Sequence, residues 1–128
     1  MISNEDLAET SDRTVKYYVV PNEKTLPLDE ALTDPAWRKP RDITDWSNHG
    51  TGVACVAAGL EYGVASKSNL YLVKAKNAWQ KQGTGSIKKR GFTISALSDA
   101  FVHILGEIRS SHLRGKAAVT MSFSRPLS

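Results

Sequence analysis

The chain has 128 residues, 41% of them hydrophobic, and a formal net charge of +4, a size that suits one domain whose core buries roughly two-thirds of the unfolded chain's surface. No run approaches the roughly 20 apolar residues that span a bilayer, so no membrane association is expected, and the single cysteine, Cys55, excludes an internal disulfide and any multi-cysteine metal site. The basic clusters Arg38, Lys39, Arg41 and Lys88, Lys89, Arg90 read as loop residues without interleaved aromatic side chains, which argues for solvated surface and against a nucleic-acid partner.

In chain order, residues 1–13 read as a flexible amino-terminal segment. They carry acids where an export signal would have basic residues followed by an apolar stretch, so no signal peptide is expected here. Thr14 to Val20 (TVKYYVV) is β-branched and aromatic and ends at Pro21, which cannot donate to a ladder; it reads as a strand with a firm stop. From 21 to 48, Pro27, Pro35 and Pro40 interrupt any periodicity, leaving mostly a long loop with room for one short helix. Thr51 to Leu60 is dense in Ala and Val and reads as a helix that Gly59 or Gly63 can end, with small side chains that allow close packing on a sheet.

Asn69 to Ala75 (NLYLVKA) reads as a second strand, followed by a basic loop containing glycine. Thr93 or Ser95 can then cap a helix whose Ile94, Leu97, Phe101, Ile104, Leu105 and Ile108 recur at three and four residues, which predicts one apolar stripe. A turn at Arg114, Gly115 and Lys116 leads into a third predicted strand, Ala117 to Phe123. Strand, helix, strand, helix, strand is the order that builds parallel sheets with helices on their faces. The fold class expected is therefore α/β, with function gathered at the carboxyl ends of the strands.

The chemistry turns on His49. A neutral imidazole within hydrogen-bond reach of a hydroxyl can take its proton, while a carboxylate on the other ring nitrogen fixes the tautomer and stabilises the imidazolium. As a lone histidine at a helix entry it would be structural; the residues around it point further. Asp45, His49-Gly50-Thr51, Val53-Ala54, Ala58-Gly59, Gly63-Val64-Ala65 and Val73-Lys74-Ala75 stand in one order and spacing, and this string resembles the histidine segment of the subtilisin-like serine proteases. The resemblance runs from about Thr14 to Ser124, the amino-terminal half of a complete catalytic domain.

That resemblance implies a three-layer, parallel-sheet half-domain with a β-α-β-α-β core, in which His49 is the general base. It also matches Gly83-Thr84-Gly85 to the family's glycine-bearing substrate strand and Ser122-Phe123-Ser124 to the strand across the cleft. Two departures bear on activity. The family's first strand ends in an aspartate, but here YYVV is followed by Pro21, Asn22 and Glu23; replacing the orienting carboxylate of such a triad by an amide costs about ten-thousandfold in turnover. The family's nucleophile lies in a GTSMA-like segment where a serine opens a later helix, and no such segment occurs among the 128 residues; losing that serine costs on the order of a millionfold.

Two readings follow. One is a truncated or degenerate, non-catalytic derivative that keeps the half-fold as a protein- or peptide-binding module. The other is a fragment of an active endopeptidase, of a family usually exported, in which His49 serves as base once the serine segment is supplied. The exposed sheet edge would be covered by a second copy or by the missing carboxy-terminal half. No cofactor is expected, and His49, His103 and His112 lack metal-ligand spacing. Cys55 reads as a small buried residue, and Trp37, Trp46 and Trp79 as core or cleft-wall residues.

Overall fold

The computed structural model describes residues 5–21, 24, 37–38, 49–75, 78–81, 87–89 and 93–122. Their elements run β1 (Val15–Val19), β2 (Trp37–Arg38), α1 (His49–Ala58), β3 (Leu70–Lys74), β4 (Ala78–Lys81), β5 (Ile87–Lys89) and α2 (Ile94–Ser110), after a short 3-10 turn at Glu5–Leu7. Strand β1 pairs in parallel with β3, Val15 opposite Leu70 and Val19 opposite Lys74. The ladder is extended at both ends, by Leu70 donating its amide to the Thr14 carbonyl and Val20 donating to that of Lys74. A parallel pair needs a long crossover, and α1 lies within it. The α/β class expected from the sequence therefore holds for this β-α-β unit.

Two expectations are corrected. Ala117 to Ser122, the described part of the predicted third strand, forms no strand and is exposed throughout. Its composition suits a strand, but a strand exists only where a neighbour supplies donors and acceptors, and these residues run unpaired after the turn in which Lys116 donates to the Leu113 carbonyl. The parallel sheet thus has two strands among the described residues, with no third parallel strand beside them. Second, the long loop and the basic loop contribute a small antiparallel sheet in the order β2-β4-β5, so Arg38, Lys88 and Lys89 lie in strands. Within the amino-terminal segment, Leu7 is buried, and so is Arg13 at 2% exposure.

The core of the β-α-β unit is built from small residues. Val20, Ala96 and Ala100 are buried together, with Tyr18, Val73 and Ala75 packed around them. Burying Val20 completely contributes roughly 1.5–3 kcal/mol, and the alanines let α2 approach the carboxyl ends of β1 and β3. Helix α2 begins as the sequence predicts, with Thr93 in extended conformation and its hydroxyl accepting from the Ala96 amide. Its buried line is Ala96 and Ala100, whereas Ile94, Phe101 and Leu105 of the predicted apolar stripe are exposed by 67%, 46% and 48%. The stripe exists, but the small residues beside it are what meet the sheet.

The same face of α2 is pinned by polar and aromatic groups. His103 stacks on Tyr18 with ring centroids 3.6 Å apart and 3° between planes. The Tyr18 hydroxyl donates to one oxygen of Asp99, and Lys24 donates to the other at 2.8 Å. The Tyr71 hydroxyl meets His103 Nε2 at 2.7 Å. His103 is a half-buried joint between α2 and both parallel strands.

Candidate active site

His49 owes its position to the way α1 is anchored at its far end. The last carbonyls of a helix have no partners within it, yet here each is met. The Gly59 amide donates to Cys55, that of Val64 to Val56 at 3.2 Å, and that of Ala65 to Ala57 at 2.9 Å. Ala58 receives the Arg13 guanidinium, which also donates to the carbonyls of Asp6, Ala8 and Ser66. A cation at a helix carboxyl end is favoured by the dipole as well.

The Gly63-Val64-Ala65 segment can fold back over α1 only because residues 59 and 63 have no side chain. A Cβ on Gly63 would lie 2.1 Å from the Gly59 nitrogen, and one on Gly59 would lie 2.0 Å from an Asp6 carboxylate oxygen. The spacing of small residues that marked this stretch in the sequence is therefore a packing requirement. Asp6 completes the clasp, its main-chain carbonyl accepting from Leu60 and its carboxylate from the Glu61 amide. Cys55 lies half-buried beside it, and burial, followed by the nearby Asp6 carboxylate, pushes the thiol up from its ordinary pKa.

At the opposite end of α1, His49 is the first helical residue and is exposed. Its Nε2 donates to the main-chain carbonyl of Ser122 at 2.7 Å. Beside this contact lies an open groove of about 680 Å³, lined by Gly52, Val53, Val56, Ala57 and Val64 together with His49, Thr120 and Ser122. Its walls are apolar, and Val56 and Val64 are 71% and 92% exposed. The sequence points to His49 and Ser122; the groove residues become visible only through the helical spacing of Val53, Val56 and Ala57 on one face.

Of the other residues singled out in the sequence, Pro21 follows directly on Val20, whose amide completes the β1–β3 ladder. Asn22, Glu23, Asp45, Trp46, Gly83, Thr84, Gly85, Phe123 and Ser124 lie outside the described residues. Among the described residues no group of three metal-ligating side chains occurs and no helix is long and apolar enough to cross a membrane. A histidine in this setting can exchange a proton with a group brought over α1, and the groove can take an apolar segment alongside it.

The sequence is similar to those of several proteins named subtilisin-like proteases. It is 38% identical over 79 residues to subtilisin-like protease 9 of Arthroderma benhamiae and 37% identical over 79 residues to that of Arthroderma gypseum, each match covering 62% of this chain and 17% of the relative. It is 35% identical over 82 residues to subtilisin-like protease 3 of Trichophyton tonsurans, over 63% of this chain and 18% of that protein. The chain thus spans less than a fifth of the length of these relatives in each match. No family model and no solved structure matches it.

Proposed function

We propose that this chain is the histidine-bearing part of a subtilisin-like serine endopeptidase domain, with His49 in the general-base position. The observation that carries the reading is His49 at the start of a helix whose far end is clamped, facing an apolar groove. The similarity to subtilisin-like proteases supports it. In this reading the groove along Gly52, Val53, Val56 and Ala57 receives the helix that a nucleophilic serine would open, because small residues on one helix face allow another helix to come close. The hydroxyl of that serine would be delivered at the open end of the groove, where Nε2 of His49 stands.

The 128 residues by themselves do not hydrolyse peptide bonds. They contain no GTSMA-like segment, and Pro21, Asn22 and Glu23 follow the first strand where the orienting aspartate would stand. Gly83, Thr84, Gly85, Ser122, Phe123 and Ser124 line the peptide cleft in this proposal. The partner it calls for is a protein segment, either the serine-bearing remainder of the domain or a peptide held in its place. The run Pro21, Asn22, Glu23 specifically favours the second reading, a non-catalytic module that binds protein or peptide.

A fluorophosphonate probe, which labels only an activated serine, separates these. No labelling is expected on this chain alone, and labelling here would overturn the claim of inactivity. Addition of the serine-bearing remainder of a relative such as the Arthroderma benhamiae protein is expected to produce labelling that His49→Ala abolishes. If the reconstituted protein folds and remains unlabelled, the endopeptidase reading fails and the binding module stands.

A further inference from the structure

We propose that Tyr71, His103 and Glu107 form a binding site for a first-row divalent cation of the zinc or copper kind, held between strand β3 and helix α2. The Tyr71 hydroxyl lies 2.7 Å from His103 Nε2 and 3.4 Å from one carboxylate oxygen of Glu107. Two donors each about 2.0–2.2 Å from one ion stand roughly 2.8–3.1 Å apart at a right angle and roughly 3.4 Å apart at the tetrahedral angle. The phenol oxygen is therefore already close to ligand-to-ligand spacing from both partners. His103 and Glu107 share one face of α2, since residues one turn apart on a helix are neighbours. Histidine, cysteine and carboxylate side chains alone make no group of three among the described residues. The third donor is the phenol oxygen, 32 and 36 residues away along the chain, and no spacing in the sequence reveals it.

The donors are held before any ion arrives. The His103 ring lies flat on that of Tyr18, with centroids 3.6 Å apart and 3° between planes, and Tyr18 is itself fixed by its hydrogen bond to Asp99. Tyr71 belongs to the parallel ladder, opposite Lys16 of β1. The second oxygen of Glu107 accepts from the Ser111 hydroxyl at 3.4 Å, and ligating carboxylates are commonly oriented in this way. Tyr71 is 36% exposed and the other two are half-buried, so an ion can enter from water and keep water at its remaining positions. One imidazole nitrogen with two oxygens does not suit calcium or magnesium, which take oxygen ligands; imidazole suits zinc, nickel and copper, with copper the tightest of the divalent series. The hydrogens now lying between the donors leave for solvent as the ion takes their place. An ion bound there joins α2 to β3 and stabilises the fold by mass action. None of this draws on the reading of His49.

The test uses the chain itself. Zinc(II) is titrated into it at neutral pH while binding is followed by calorimetry, the ring signals of His103 and Tyr71 by nuclear magnetic resonance, and the thermal midpoint by circular dichroism. Saturable binding of one equivalent is expected, with both sets of ring signals shifted and the midpoint raised; copper(II) should bind more tightly than zinc, and calcium and magnesium should leave all three readouts unchanged. Tyr71→Phe removes only the phenol oxygen and Glu107→Gln only the carboxylate charge, so both variants should fold as the parent does. Each is expected to weaken zinc binding at least about tenfold, the loss that even a residue behind the ligands brings, whereas His112→Asn, at the exposed end of α2, should bind as the parent does. Zinc binding of undiminished affinity in folded Tyr71→Phe and Glu107→Gln would overturn the proposal, as would its loss in His112→Asn or the lack of any saturable binding in a large excess of zinc. Fluorophosphonate labelling of the reconstituted domain reads a different site, so the cation site can fail while the endopeptidase reading survives, and the reverse.

Discussion

Two residues outside the groove show how single side chains hold this molecule. Arg13 is 2% exposed and donates to carbonyls of Asp6, Ala8, Ala58 and Ser66, so removing it strands several buried acceptors at about 1–3 kcal/mol apiece. Arg13→Met is therefore expected to lower unfolding stability by about 3 kcal/mol or more in urea titration, and Arg13→Lys to recover little, because one ammonium cannot reach acceptors that a planar guanidinium spans. A loss within about 0.5 kcal/mol would show that these carbonyls are met by water instead.

Tyr18 gives a prediction with a sign. Its hydroxyl is held by Asp99, and that hydrogen bond, then burial, pushes its pKa from 10.0 to about 12. A phenol whose folded pKa is raised stabilises the fold fully below its unfolded value, and the stabilisation is lost as pH climbs from about 10 to about 12. Asp99 is shifted the other way, below the ordinary carboxylate value, first by the hydrogen bond from Lys24 and next by that from Tyr18. Its share of stability is thus present above the unfolded carboxylate pKa and fades as pH falls. The tyrosinate absorbance of the native protein should include a last-ionising group at about 12, Tyr71 also being raised by burial and then by Glu107, and Asp99→Asn should bring that last group back toward the ordinary phenol range. If all tyrosines ionise together in the parent chain, the Tyr18–Asp99 bond does not form in solution. The Lys24 partner is 41% exposed, and an ion pair so open to water adds little.

Among the elements, α1 makes the sharpest contrast between glycines. A Cβ at Gly63 would meet backbone at 2.1 Å, whereas one at Gly106, inside α2, meets nothing within 4 Å. Gly106→Ala is expected to raise stability by about 0.5–1 kcal/mol through chain entropy, and Gly63→Ala to lower it by about 1–3 kcal/mol, the usual cost of forcing atoms into a filled space. Paired denaturation curves decide it, and equal signs would contradict the packing described for residues 59–65.

The same elements show what could be read from the sequence. TVKYYVV and NLYLVKA state their strands locally, and Thr93 states the start of α2, because β-branched runs and hydroxyl caps act over a few residues. The burial of Leu7 and Arg13 could not be read from a polar stretch such as NEDLAETSDR, since it depends on Ala58 and Ser66, which are 45 and 53 residues further on. AAVTMSF misleads for the same reason in reverse: its composition favours pairing, but nothing local says whether a partner strand is within reach. At the site, NHGTG announces His49, while its contact with Ser122 joins residues 73 apart.

At the scale of the whole molecule, apolar surface and charge pull against each other. Val56 and Val64 along the groove, and Ile94, Phe101 and Leu105 on α2, all leave substantial area in water, and burying such area is worth about 25 cal/mol per Å². Against association stands a net charge of +4 on each copy, a repulsion that reaches about 10 Å at 0.1 M salt and only about 3 Å at 1 M. If the groove is where chains meet, raising the salt concentration removes the repulsion and leaves the apolar attraction, so the mass measured by sedimentation should rise with both protein and salt concentration. Val56→Lys combined with Val64→Lys puts charge in the groove and should hold the protein monomeric under the same conditions, whereas Phe101→Lys, on α2 away from the groove, should not. If the Phe101 variant alone abolishes association, the covering surface is the α2 face and the groove is left for a different occupant. A wild-type chain that stays monomeric at high salt would mean that neither face drives self-association, leaving the groove to be filled only by a segment that fits it.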